Sequence, residues 1–173
     1  NVYQIESLPH FTEEAVFGYF ATEIFEKTNP DIQHFLLQTS IFPAMTAQMA
    51  KRLTGEEKAA NLLSRLSRNH WFTERRSAAP NKYQYHPMFR EFLLNQVPNV
   101  YSAGDVRRLK ETAAAILKEE GQTEAAVCLL LESGSHRKAL ELILGHAEAM
   151  VLQGRVKTLA NWLQSIPGEI AEK

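Results

Sequence analysis

Two short stretches with strand character, Trp71-Phe72-Thr73-Glu74-Arg75 and Lys82-Tyr83-Gln84-Tyr85, flank the turn-rich segment Ser77-Ala78-Ala79-Pro80-Asn81. That spacing predicts a β-hairpin. The order of elements around it narrows the fold. A short helix is expected from Thr46 to Leu53, ended by Thr54-Gly55. A longer helix should run from about Glu56 to Asn69 with Leu62, Leu63 and Leu66 inward. After the hairpin, Pro87 opens a helix carrying Phe89, Phe92 and Leu93. Short helix, longer helix, hairpin and packing helix is the order of a winged helix-turn-helix domain. The expected fold class is therefore mainly α, with a small β-hairpin wing.

Helices are expected on both sides of this unit. Upstream, Thr12 caps a helix that runs to about Lys27, with Val16, Phe20 and Ile24 stacked on one face. Asn29-Pro30 starts the next, with Ile32, Phe35, Leu36 and Thr39 inward, and Pro43 breaks the chain. Downstream, Val97-Pro98 through Gly104 reads as a boundary, followed by helices over about 105–120, 123–133, 136–150 and 154–165. Gly121, Gly134 and Gly154 stand at the junctions. Gly121 and Gly154 are 33 residues apart, close to the period of tetratricopeptide-like antiparallel helical hairpins. Two domains are expected, a winged helix over 1–100 and the opening of a helical repeat over 101–173. One and a half repeats should expose an apolar face where the array would continue past Lys173. The chain opens on Asn1-Val2-Tyr3 and closes on Ala171-Glu172-Lys173, and both ends are expected to be boundaries inside a longer protein.

No apolar run approaches a membrane span. The single cysteine, Cys128, excludes an internal disulfide and, in its apolar run, is expected in the core. The aromatics Tyr3, Phe17, Phe20, Phe25, Phe42, Phe72, Phe89 and Phe92 are also expected there. Phosphate-loop, nucleophile-elbow, metalloprotease and paired-cysteine zinc signatures are missing, and His10, His34, His70, His86, His136 and His146 are scattered without metal-ligand spacing. Neither catalysis nor a bound metal is expected within these 173 residues.

Charge is the more informative quantity. Net charge is −1, yet residues 51–90 hold nine Lys/Arg against three acids, a local +6 that leaves the remainder near −7. Such a dipolar chain points to a basic surface facing an anion. Lys58, Asn61, Arg65 and Arg68 fall at i, i+3, i+7 and i+10 on the longer helix, the one a winged helix lays in the major groove. Arg75, Arg76 and Lys82 would decorate the wing. Direct DNA binding through residues 56–82 is thus one reading. Docking on an acidic neighbouring domain, or simple solvation, is the other.

A second candidate is His86, which ends a strand immediately before a proline-started helix. Free N–H groups and the helix dipole at such a place favour a bound phosphate. A histidine that merely caps the helix is the alternative.

Tyr85-His86-Pro87-Met88-Phe89-Arg90-Glu91-Phe92-Leu93 resembles the segment that closes the winged helix in the maltose-regulator group of LuxR-type activators, within the signal-transduction NTPases with numerous domains. Phe35-Leu36-Leu37-Gln38-Thr39-Ser40-Ile41, Leu62-Leu63-Ser64-Arg65-Leu66 with Trp71-Phe72, and Gly154 through Leu163 with Ile166-Pro167 are similar to that family in the same order. The resemblance implies a larger cytoplasmic chain. An ATP-binding NTPase domain would precede these residues, further sensor repeats that take a small-molecule inducer would follow, and a DNA-binding domain would close it. ATP and ADP would bind the parent protein, not these residues, and the assembly would self-associate. In related switch proteins a methionine-histidine-aspartate motif faces the ADP phosphate. His86 matches its histidine, and the flanking Tyr85 and Pro87 differ. The resemblance also implies that this winged helix regulates without touching DNA.

Overall fold

The computed structural model describes residues 13–69, 71–75 and 81–171. Thr12, His10, Tyr3, His70, Arg76 and residues 77–80 of the wing turn lie outside them. Four helices lead in: α1 (Glu13–Glu26), α2 (Pro30–Thr39), α3 (Ala47–Thr54) and α4 (Ala59–Arg68), with the short strand β1 (Met45–Thr46) ahead of α3. The hairpin β2 (Thr73–Arg75) and β3 (Lys82–Tyr85) precedes α5 (Pro87–Val100). Helical hairpins follow: α6 (Ala103–Glu119), α7 (Thr123–Glu132), α8 (His136–Leu152), α9 (Val156–Gln164) and the short α10 (Gly168–Ala171). The expected class, a mainly helical chain with a winged helix followed by helical hairpins, is the observed one.

The differences are local and have physical reasons. On α1 the inward residues are Phe17, Ala21 and Phe25, while Phe20 is 54% exposed beside Tyr19. Of the expected Val16/Phe20/Ile24 stripe, Phe20 and Ile24 are one residue out of phase, a rotation of about 100°, and the Val16 side chain lies outside those described. Two phenylalanine rings fix the phase, Phe25 against Phe92 at 5.7 Å and Phe17 against Phe72 at 4.8 Å. β1 was not anticipated, because two residues are too few to show alternation. It makes a third antiparallel strand in the order β1-β3-β2, setting Met45 opposite Tyr83 and Thr46 opposite Lys82. Thr46 serves twice, since its Oγ1 also accepts the Met49 N–H at 3.1 Å and caps α3.

Residues 56–58 form a turn ahead of α4, not its first turn: Glu56 Oε1 accepts the Lys58 N–H at 2.7 Å. Conversely, α5 runs through Pro98 to Val100, so the expected 97–104 boundary shrinks to Tyr101-Ser102. Pro98 lies in the last turn, where its missing N–H costs one hydrogen bond at most. Cys128 is exposed, not buried as expected. The buried pairs Ala126-Val127 and Leu129-Leu130 straddle it and leave it on the outer face of α7.

α6 packs on α3 and α5, and a single apolar cluster runs from the winged helix into the hairpins. Arg52 of α3 pairs with Glu119 of α6 at 2.5 Å across this junction. The repeat is visible in the spacing of the helices. α6 and α8 begin at residues 103 and 136, and α7 and α9 at 123 and 156, both 33 apart. Each unit turns at a glycine of positive φ, Gly121 at 71° and Gly154 at 73°. Each turn is closed by the same bond three residues beyond the helix, Gln122 N–H to Leu117 O and Arg155 N–H to Met150 O, both 2.8 Å.

Two predictions arise here. Glu111 of α6 holds the next unit: its carboxylate accepts from Lys138 Nζ at 2.7 Å and Ser135 Oγ at 2.5 Å. These bonds lower its pKa from 4.5 to about 2. A carboxyl depressed in the folded state contributes stability above its unfolded pKa and loses it as pH falls through the folded one. Acid unfolding between about pH 4.5 and 2 should therefore weaken in Glu111→Gln, measured as a smaller fall in melting temperature across that window than in the unaltered chain.

The second concerns α8 and α9, where Leu144, Val156 and Leu163 are 60%, 54% and 40% exposed. Their counterparts 33 residues earlier are Glu111, Thr123 and Leu130. Glu111 reaches Ser135 and Lys138, Thr123 meets His146 of α8 at 3.3 Å, and Leu130 is 6% exposed. The same face that α8 covers in the first unit is bare and apolar in the second. These 173 residues alone should therefore self-associate as concentration rises. Light scattering should report dispersal to monomer in Leu144→Glu/Leu163→Glu, and a monomer throughout for the unaltered chain would contradict the idea.

Candidate regulatory site around His86

The alternation of β3 buries Tyr83 and Tyr85. The Tyr85 hydroxyl donates to Thr39 Oγ1 at 2.7 Å, and Thr39 in turn donates to the Phe35 carbonyl at 2.6 Å. Burial pushes the Tyr85 phenol well above its ordinary pKa, so it stays a neutral donor. Next comes His86, extended at φ −52° and ψ 136°, as a residue before proline must be. It occupies the N-cap position of α5 by backbone alone, and its side chain makes no capping bond.

The backbone of His86 is held on both sides. Its N–H donates to the Phe72 carbonyl at 2.7 Å, and its carbonyl accepts from the Arg90 N–H at 2.9 Å. The imidazole is half-buried and stacks on Phe17 of α1 at 5.5 Å and 28°. Its Nδ1 is buried without a hydrogen-bond partner. The ring is therefore not free at the surface, because α1 covers one of its faces. Phe72 has φ 46°, the one non-glycine residue in the left-handed region among the described residues. A bulky residue there is strained. It is wedged between Phe17 at 4.8 Å and Phe89 at 5.0 Å.

Arg90, one turn into α5, donates from Nε to the Phe42 carbonyl and from an Nη to the Ile41 carbonyl, both at 3.1 Å. Burial lowers its pKa. The segment Tyr85–Leu93 therefore carries three anchors, with Tyr85 on α2, Phe89 in the core and Arg90 on the loop before β1. His86 lies at their N-terminal end. Composition and spacing singled out His86 but not Phe17 or Phe72 as its partners, since ring contacts across elements leave no periodic trace.

Of the basic candidates, Lys58, Asn61, Arg65 and Arg68 are all exposed and line one surface, the last three on α4 and Lys58 in the turn just ahead of it. Arg75 stands on β2 with its guanidinium 6.0 Å from the Tyr83 ring centroid, while Arg76 lies outside the described residues. A further cleft of about 420 Å³, not foreseen from the sequence, opens between the hairpins beside Thr123, His146 and Trp162, with Arg155 paired to Glu124 at 2.6 Å across it. Among the described residues, no group of three His, Cys, Asp or Glu is arranged to hold a metal. No helix among them is long and apolar enough to cross a membrane.

The matching family model is the MalT winged helix domain, over residues 21–103, from the middle of α1 to the first residue of α6. The match covers the sheet, the α3–α4 pair and the Tyr85–Leu93 segment. Residues 21–103 are a winged helix domain of the MalT type, the domain found in MalT-like regulators.

Proposed function

We propose that this chain is a regulatory, non-catalytic module of a multidomain, ATP-dependent transcriptional regulator in the cytoplasm. It couples nucleotide state in a neighbouring NTPase domain, and inducer binding in a helical-repeat sensor, to DNA binding elsewhere in the protein. The hairpins over 101–173 would be the opening of that tetratricopeptide-like sensor. The observation that carries the proposal is the environment of His86. An unpartnered, buried Nδ1 at the start of a 14-residue helix sits against a strained Phe72 and beneath α1. A phosphate of ADP held by the neighbouring domain would find a histidine and a helix N-terminus together. Loss of that contact on exchange to ATP would release α1 and bias the parent toward its self-associating form. A ligand shifts such an equilibrium only by its difference in affinity for the two states.

The test is His86→Ala in the intact regulator. A bond to a charged group is worth about 1.5 to 3 kcal/mol, so ADP should be retained roughly ten- to a hundredfold less well, and transcription without inducer should rise. In the 173-residue chain the same change should move the melting temperature by only a few degrees. Wild-type ADP affinity with full inducer dependence in the mutant would reduce His86 to a structural residue.

A second reading, direct DNA binding through residues 56–82, draws on the shared exposure of Lys58, Asn61, Arg65 and Arg68. A salt-dependent gel shift with random duplex, abolished by Arg65→Glu/Arg68→Glu, would support it.

A further inference from the structure

Among the described residues, three cations on one surface lack an acidic partner: Arg65 and Arg68 of α4, and Lys58 just ahead of it. Lys51 pairs with Glu57 and Arg52 with Glu119, each at 2.5 Å. Lys58, Arg65 and Arg68 make no ion pair among the described residues. They do not stand on a ridge. With Asn61 they line a groove of about 380 Å³, and the half-buried Leu62 of α4 and Ile32 of α2 add apolar surface to it. That volume lies at the lower end of the roughly 300–1,000 Å³ typical of ligand clefts. The groove also has a polarity. Glu56 lies beside the start of α4, whereas Arg65 and Arg68 stand in its last turn.

A helix that reads DNA must protrude far enough to enter the major groove, and an apolar recess beside it has no counterpart in a phosphate backbone. A concave surface with apolar residues, a basic rim and one acidic end suits a guest with the complementary pattern. We infer that the α2–α4 groove is a docking site for an acidic amphipathic helix. Its apolar side chains would seat on Ile32 and Leu62, and its carboxylates would lie along Lys58, Arg65 and Arg68. The guest's acidic end would point toward Arg68 and away from Glu56. Helix-in-groove recognition of this kind draws affinity from the apolar anchors and orientation from the rim charges.

Fluorescence anisotropy with three labelled probes tests this: a synthetic helix of glutamate and leucine, its lysine–leucine counterpart, and random duplex DNA. The acidic helix should bind, and the lysine helix should not. Arg65→Glu/Arg68→Glu should weaken the acidic helix by at least about tenfold, because like charges then face each other across the interface. Both positions are exposed, so the melting temperature of that variant should be unchanged and a folding defect is separately visible. Leu62→Ser should weaken the acidic helix without altering the salt dependence of its binding. Tighter binding of the duplex than of the acidic helix would overturn the proposal in favour of nucleic acid. Binding of neither probe, or equal binding by the charge-reversed variant, would overturn it as well.

Discussion

Replacing Phe89 with alanine should lower the stability of the chain by about 3 to 5 kcal/mol, the usual cost of removing a buried aromatic ring. At roughly 2 to 4 °C per kcal/mol for a chain of this size, the melting temperature should fall by roughly 6 to 20 °C. Phe89 is 1% exposed and central in the ring cluster, 5.0 Å from Phe72, 6.0 Å from Tyr85 and 6.1 Å from Phe92. The cavity left behind would open beneath both the strained Phe72 and the ring that anchors Phe25 of α1. Collapse of the surroundings is hindered because four elements meet there: α1, the β2 entry, β3 and α5. Tyr85→Phe is the contrasting case. It removes one hydroxyl while Thr39 keeps its bond to the Phe35 carbonyl, so the loss should be near 1 kcal/mol. Calorimetry on the two variants checks both values. A Phe89→Ala transition within about 3 °C of the unaltered one would mean that the cluster is loosely packed and that Phe72 is not held by it.

That cluster also marks the limit of what the residues alone reveal. The β3–α5 corner was legible because its signals are local: two buried tyrosines at period two, then proline at the first helical position. The basic face of α4 was legible for the same reason, since i, i+3, i+7, i+10 spacing needs only a helix to align. Its concavity was not, because the recess exists only when α2 brings Ile32 alongside Leu62. The phase of α1 was misread because Val16, Phe20 and Ile24 make as good a stripe as Phe17, Ala21 and Phe25. The partners on Phe72 and Phe92, far away in sequence, choose between them. The left-handed backbone of Phe72 has no sequence signature, since a glycine or asparagine would be expected at such a φ. The 33-residue repeat was readable from Gly121 and Gly154, whose turns have a local requirement for positive φ. The outward turn of Cys128 was hidden by the apolar residues on both sides of it.

Arg90 should matter nearly as much as Phe89, and in a way that distinguishes it from an ordinary surface charge. Its guanidinium makes two bonds from one planar fork, to the carbonyls of Ile41 and Phe42, at 3.1 Å each. Both carbonyls belong to the buried loop between α2 and β1. Arg90→Met keeps the apolar stem and removes the fork, leaving two acceptors without their donor, at an expected cost of about 2 to 4 kcal/mol. Arg90→Lys should fall between the two, because an ammonium is a point charge that cannot reproduce the fork. Urea unfolding should order the midpoints Arg, Lys, Met from high to low with an unchanged slope. The effect should extend to the candidate site, since the Arg90 N–H also bonds the His86 carbonyl at 2.9 Å. Hydrogen exchange at Arg90 and at His86, whose N–H bonds Phe72, should therefore accelerate in the methionine variant more than in α7, on the far side of α6. Equal midpoints for arginine and methionine would show that the loop before β1 holds its shape without the fork, and that α5 is fixed by its rings alone.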